Sequence, residues 1–248
     1  AATGGIGIAF FCLFGFTFLV TQYFQFVRGY DTLSAGVHTI PFAVGAGVTA
    51  PLAARAALKF GTKRIVALGL FNMSLGLLIA SRMDADSSYW GHVIIGMVLM
   101  ANGLSFVTSP STDAVMGSLP REKAGVGSAV NDISREVGGV LGVAVVGSVF
   151  VSLYTPQLVE NFAKIPGFVD ALNKSNPEAY QMAQDAVGAA FSIAQQSPAA
   201  VRPEVLNAVS DSFVQGFQTA SLVGAGMAIV GALFALKYLP ARPGAGDS

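Results

Sequence analysis

Charge is what this sequence has least of. Only 11% of its 248 residues are Asp, Glu, Lys or Arg, whereas 53% are hydrophobic, and a soluble domain carries roughly 25% charged residues. That shortfall excludes an ordinary water-soluble domain. Fourteen bases against fourteen acids leave no net charge, which argues against a polyanionic partner such as nucleic acid. The lone Cys12 allows no intrachain disulfide and reads as a small apolar packer. His38 and His92 have no cysteine or acid cluster nearby at metal-ligand spacing, and the chain has neither a nucleophile elbow nor a phosphate-cradling glycine loop after a strand. No residue set for an enzyme or for a bound metal or cofactor is present.

What the chain does have is long uncharged runs. Six of them reach 17 residues or more: Ile6 to Val27, Leu33 to Ala54, Ile65 to Ser81, Val93 to Pro110, Val137 to Thr155 and Phe213 to Leu236. At about 1.5 Å per residue each crosses or nearly crosses a hydrocarbon layer of roughly 30 Å. Backbone groups in lipid must bond within their own segment, and none of the runs shows the two-residue alternation of a barrel strand. The predicted fold is all-α: a single polytopic membrane domain over 1–248 with spans near 6–27, 33–54, 65–81, 93–110, 124–155 and 213–236. A signal peptide is excluded for the first run, which lacks a basic leading region and a small-residue cleavage site. The chain starts at Ala1 and enters the membrane within a few residues, as a piece of something longer would.

Six spans bring both ends to one side. The connections on that side hold Arg55, Lys59, Lys63, Arg64, Arg121, Lys123, Lys237 and Arg242, against Arg28, Arg82, Lys164, Lys174 and Arg202 opposite. The excess of basic residues marks the first side as cytoplasmic, so both termini are expected there. The opposite side then carries a long loop, 156–212, with six of the fourteen acids and five of the eleven prolines. Within it 177–196 reads as one amphipathic helix, with Pro177 in its first turn and Tyr180, Ala183, Val187, Ala190, Phe191 and Ala194 along one side. It is expected to cap the bundle or lie in the lipid interface.

Three groups of residues stand out as candidates. Asp132, Arg135 and Glu136 fall together where the chain is otherwise nearly uncharged. If the fifth helix begins near Ala124, Asp132 lies roughly 12 Å along it, and Arg135 could neutralise one acid while the other takes up a proton reversibly. The alternative is a wet extension, because Val137 to Thr155 spans alone. Phe10, Phe14, Phe18 and Tyr23, with Thr21, Gln22 and Gln25, form an aromatic stripe with hydrogen-bonding groups toward one end, suited to amphipathic molecules and lipophilic cations; lipid-facing phenylalanines are the plainer reading. Gly138, Gly139 and Gly142 are small positions at which another helix can approach closely. Pro41, Pro51 and Pro110 interrupt the helical ladder, as irregular packing or a bend around a cavity requires.

The stretch "ARAALKFGTKRIVALG" (54–69) resembles the loop between the second and third helices of each half of a major facilitator superfamily transporter. Lys59, Gly61, Lys63 and Arg64 match its pattern, and Leu58 stands where the pattern has Asp. The stretches "YFQFVRGYDTLSAGVHTIP" (23–41) and "SPSTDAVMGSLPREKAGVGSAVNDISREVGGVLGVAVVGSV" (109–149) look like the C-terminal half of the fourteen-helix drug/proton antiporter branch of that superfamily. The resemblance implies a bacterial inner-membrane protein that exports amphipathic compounds by alternating access, with a proton gradient as coupling ion and an N-terminal half absent from this chain as partner. From the residues alone, a non-transporting six-helix membrane module, an assembly partner or sensor, stays open beside it.

Overall fold

The computed structural model describes residues 1–240, the side chain of Arg121 apart; Arg242, counted above among the basic residues, lies outside the described residues. The described chain is helical, without a strand. Helix α1, Ala2–Gln22, continues into a π-helical turn, Tyr23–Val27. Then follow α2 (Thr32–His38), α3 (Ile40–Phe60), α4 (Thr62–Ala80), a second π-helical turn (Tyr89–Val93), α5 (Ile94–Gly117), a 3-10 turn (Arg121–Lys123) and α6 (Ala124–Ala163). After these come α7 (Phe168–Ser175), α8 (Pro177–Asp185), α9 (Val187–Gln196) and α10 (Arg202–Tyr238). Six of the helical segments are long and apolar enough to cross a membrane.

Glycine sets the closest approaches. A Cβ on Gly138 would run into the Gly7 carbonyl, and one on Gly142 into the carbonyl of Phe11. One turn further on, a Cβ on Gly15 would stand 2.7 Å from Val146 Cγ2. Helices α1 and α6 therefore run parallel in a fixed register, with no room for a methyl group between their backbones at two of these levels. The α4–α5 pair repeats the device at heptad spacing: a Cβ on Gly69 would stand 2.7 Å from the Gly103 carbonyl oxygen, and one on Gly76 2.8 Å from that of Gly96. Helix α10 closes the bundle against α4, α6 and α1. Cys12 sits in that interior, with its thiol 3.5 Å from the Gly224 carbonyl. Helix α3 leans mainly on α5, and Val44, Val48 and Leu52 along it are unpartnered.

Ala1 to Thr3, Thr62, Ser118, Val126 and Leu239 line one recess, so the N-terminus, the α3–α4 and α5–α6 turns and the end of α10 share one end of the bundle. We call it the terminal end and the opposite one the loop end. At the loop end, residues 83–87 are tied down from two sides. Tyr23 donates its hydroxyl to the Asp84 carbonyl at 2.9 Å, and Arg28 reaches the carbonyls of Ala85 and Ser87 at 3.1 Å. Gln218 of α10 donates to the Met83 carbonyl and the Asp84 carboxylate.

The region expected to be one long loop is different. Helix α6 runs on to Ala163 and α10 starts at Arg202, so the connection shrinks to 164–201. With 40 and 37 residues, at about 1.5 Å each, the two helices far exceed a bilayer core and continue beyond it as a paired extension. Phe150, Tyr154, Leu158 and Phe162 on one meet Val205, Val209, Phe213 and Phe217 on the other, all buried. Pro156 sits inside α6 without ending it. The amphipathic segment 177–196 is two helices, because Ala186 is extended at φ −143°, ψ 122°. The break releases the last carbonyls of α8, and α6 takes them: Tyr154 donates to Ala183 at 3.2 Å and Thr155 to Gln184 at 3.1 Å. Helix α9, freed to tilt, stacks Phe191 on Phe26 with ring centres 5.9 Å apart.

Candidate functional site

A recess of about 570 Å³ opens in the half of the bundle nearer the loop end, between α1, α2, α3 and α5. Phe14, Phe16, Phe24 and Phe42 supply most of its wall, and Met97 lies against it. Thr17, Thr21, Gln25, Thr32 and Thr39 supply hydroxyl and amide groups, and no lining residue is charged. The recess exists because the predicted second span is broken. Pro41 has no N–H to offer the Val37 carbonyl, and Thr39, at φ −91°, ψ −7°, turns the chain between α2 and α3, which sets α2 across the mouth. Pro51 and Pro110 stay within continuous helices.

The candidates of the aromatic stripe divide. Phe14 and Gln25 line this recess. Phe18 and Gln22 line a second, shallower one with Phe14, Thr17 and Thr21, closed by Asp185 to Gly188 of the α8–α9 junction. The Gln22 amide is taken by its own helix, donating to the Phe18 carbonyl at 3.3 Å. Tyr23 belongs to neither wall. It is 1% exposed, its ring lies 5.8 Å from that of Phe217, and its hydroxyl is committed to Asp84. Tyr23 continues α1 with its N–H on the Leu19 carbonyl and stands three, four and seven residues after Val20, Leu19 and Phe16, on the buried face of the helix and off the stripe. Sequence reasoning missed the contributions of Phe16, Thr17, Phe24, Phe42 and α2. The spacing of Thr17 and Thr21, four apart beside Phe14, was a readable signal for part of them.

Asp132, Arg135 and Glu136 do not form an ion pair. Asp132 and Glu136 are exposed, and the single salt bridge among the described residues joins Lys164 to Glu160. Arg135 turns instead toward α1, its guanidinium carbon 5.4 Å from the Phe10 ring centre, and its Nε is shielded without a hydrogen-bond partner. The parallel register places Gly138 beside Gly7 and Gly142 beside Phe11, which sets Asp132 level with Ala1 and Glu136 level with Gly5. Helix α6 begins at Ala124, so Asp132 lies eight residues, about 12 Å, along it. Glu136 is one turn, about 6 Å, further in than Asp132, with apolar Ile133 and Val140 exposed along the same side.

In the basic turn, Gly61 has φ +90°, a conformation that only glycine adopts without strain. It reverses the chain between α3, which ends in Lys59 and Phe60, and α4, which begins with Thr62, Lys63 and Arg64. Gly139 differs from Gly138 and Gly142 in facing a ring, since a Cβ there would stand 3.1 Å from that of Phe14 rather than against backbone.

Tight glycine crossings, six apolar spans and an uncharged aromatic recess define a polytopic α-helical membrane protein built around a cavity wall. Residues 3–143 match the Major Facilitator Superfamily model, more than half of the chain, and the chain belongs to that family. It is 28% identical to the multidrug efflux pump LfrA of Mycolicibacterium smegmatis over 90% of its length, covering 43% of that protein. It is 27% identical to the multidrug resistance protein Stp of Mycobacterium tuberculosis over 96% of its length, covering 44% of Stp. The tetracenomycin C resistance and export protein of Streptomyces glaucescens is 28% identical over 94% of the chain, which covers 42% of that protein. The chain thus spans less than half the length of these relatives.

Proposed function

We propose that this chain forms one half of a carrier that moves amphipathic compounds across a bacterial plasma membrane by alternating access, with the terminal end in the cytoplasm. The carrying observation is the 570 Å³ recess, aromatic, dotted with hydroxyl and amide groups and free of charged lining, in a chain similar to proteins named for drug efflux and export. Such a wall holds flat apolar molecules by contact area, and delocalised cations by their attraction to ring faces, without demanding one geometry. The unpartnered stripe of α3, Val44, Val48 and Leu52, together with Val137, Val140 and Leu141 of α6, supplies apolar surface on which a second, N-terminal half packs. Proton uptake falls to Glu136 rather than Asp132, because a carboxyl a turn deeper among Ile133 and Val140 loses its water once that half covers it. Arg135, drawn to Phe10, then orients α6 instead of neutralising its neighbours.

The test is export of a fluorescent lipophilic cation from vesicles containing the longest natural form of the protein, with and without a proton gradient. Gradient-driven export that is retained in Asp132→Asn and lost in Glu136→Gln is the expected result. No export under either condition overturns the carrier reading; unchanged export in Glu136→Gln overturns the coupling role alone.

A further inference from the structure

Between Asp31 and Asp84 the chain has no acidic residue, and four of its five bases in that interval, Arg55, Lys59, Lys63 and Arg64, fall within ten residues around the Gly61 turn. The 21 residues of α3 are about 32 Å long. This matches a hydrocarbon core and puts the turn at the membrane–water boundary. Among the described residues no carboxylate lies within 4.0 Å of any of these four bases. Arg55, Lys59 and Arg64 are exposed and Lys63 half-buried. Leu58 shares the helix face of Arg55 and Lys59, at i, i+3 and i+4, and is 85% exposed; Phe60 is 53% exposed, with the Lys59 ammonium 5.2 Å from its ring centre.

Unpaired cations directly beside a large exposed leucine and phenylalanine make a surface that neither water nor hydrocarbon alone satisfies. An anionic phospholipid satisfies both parts, through its phosphate and its acyl chains. We propose that the α3–α4 turn is a docking surface for an anionic phospholipid headgroup, its phosphate held by Arg55, Lys59 and Arg64 and its upper acyl chain lying on Leu58 and Phe60. The partner is chosen by charge complementarity: net negative lipids are preferred over zwitterionic ones of equal chain length. The inference rests on the membrane-spanning fold and is independent of what the recess carries.

Native mass spectrometry of the longest natural form of the protein, titrated with phosphatidylglycerol and in parallel with phosphatidylcholine, tests it. A basic side chain at an anionic surface contributes about fivefold in binding, so the first phosphatidylglycerol is expected to bind at least tenfold more tightly than phosphatidylcholine. Arg55→Gln/Lys59→Gln/Arg64→Gln should bring the two lipids level. Leu58→Asp, which places an acid inside the patch at an exposed position, should do the same, and Lys174→Gln at the loop end should change nothing. Equal binding of the two lipids by the natural protein, whether because carboxylates from the rest of the carrier fill the patch or because nothing does, overturns the proposal. So does a preference that survives both patch variants.

Discussion

The α1–α6 crossing makes the sharpest demand on the sequence, and Gly142→Ala probes it with a single methyl group. That methyl would overlap the Phe11 carbonyl oxygen and stand 2.8 Å from the Phe11 carbonyl carbon and Cα, where non-bonded carbons rest at about 3.5–4.0 Å. All three atoms are backbone, so no rotamer change relieves the clash, and the helices must separate by the order of 1 Å. Overpacking of this kind costs about 1–3 kcal/mol. Gly226 in α10 is the matched control: a Cβ there meets nothing within 4 Å, and Gly226→Ala should be neutral or stabilising by up to about 1 kcal/mol through helix propensity. Reversible unfolding in mixed micelles, followed by circular dichroism, measures both. Equal stabilities for the two variants would refute the claim that backbone contact at Gly142 sets the distance between α1 and α6.

Phe162→Ala removes a fully buried ring from the extension of α6 and α10 beyond the membrane; it should cost about 3–5 kcal/mol locally and raise the rate of limited proteolysis within 164–201, leaving the membrane-embedded helices protected. Asp31 caps α2 by accepting the Ser34 N–H at 2.7 Å, and hydrogen bonds from Ser34, its hydroxyl first and then its backbone amide, hold the Asp31 carboxyl below its ordinary value of 3.8. A depressed carboxylate favours the folded cap above the unfolded pKa and loses that contribution as pH falls through the folded one. The protection factor of the Ser34 amide should therefore be high at neutral pH and fall only below about pH 4, a fall that Asp31→Asn, which cannot titrate, should lack.

The spans were legible because absence of charge over 17 residues is enough to define a lipid-crossing helix. The same criterion hid the extension beyond them. Phe150, Tyr154, Leu158 and Phe162 recur every four residues, as do Val205, Val209, Phe213 and Phe217, and this is the pattern of two helices packed face to face. Glu160, Lys164 and Asp211 interrupt the uncharged runs there, so a test for spans discards what a test for periodicity keeps. The α4–α5 crossing was equally readable in Gly69 with Gly76 and Gly96 with Gly103, both seven apart. The reach of Arg28 to Ala85 and Ser87 was not, since nothing in "TQYFQF" announces a π-helical turn, and one extra residue carries the side chains beyond it about 100° round the axis. The level of Asp132 and Glu136 against α1 was also out of reach, because it depends on the register of the two helices, which is a tertiary quantity.

On the proposed function, that register bears on how binding and proton uptake communicate. The recess is lined by residues from Leu13 of α1 to Gln25 of the π-helical turn, while Glu136 is level with Gly5, so roughly fourteen residues, about 21 Å, separate the carboxyl from the recess centre. Direct competition between a proton and a bound cation for one carboxylate is excluded at that distance. The connection has to be mechanical, and the contacts at Gly7, Phe11 and Gly15 of α1 lie between the two sites on a helix pair that cannot slide without breaking register. On the proposed function, Glu136→Gln should then leave the equilibrium affinity for a lipophilic cation within about twofold of the natural protein, while abolishing its dependence on the proton gradient. Binding measured by fluorescence anisotropy in detergent separates the two cases: a tenfold change in Kd would mean that the carboxyl touches the substrate, and the arrangement of sites described here would be wrong.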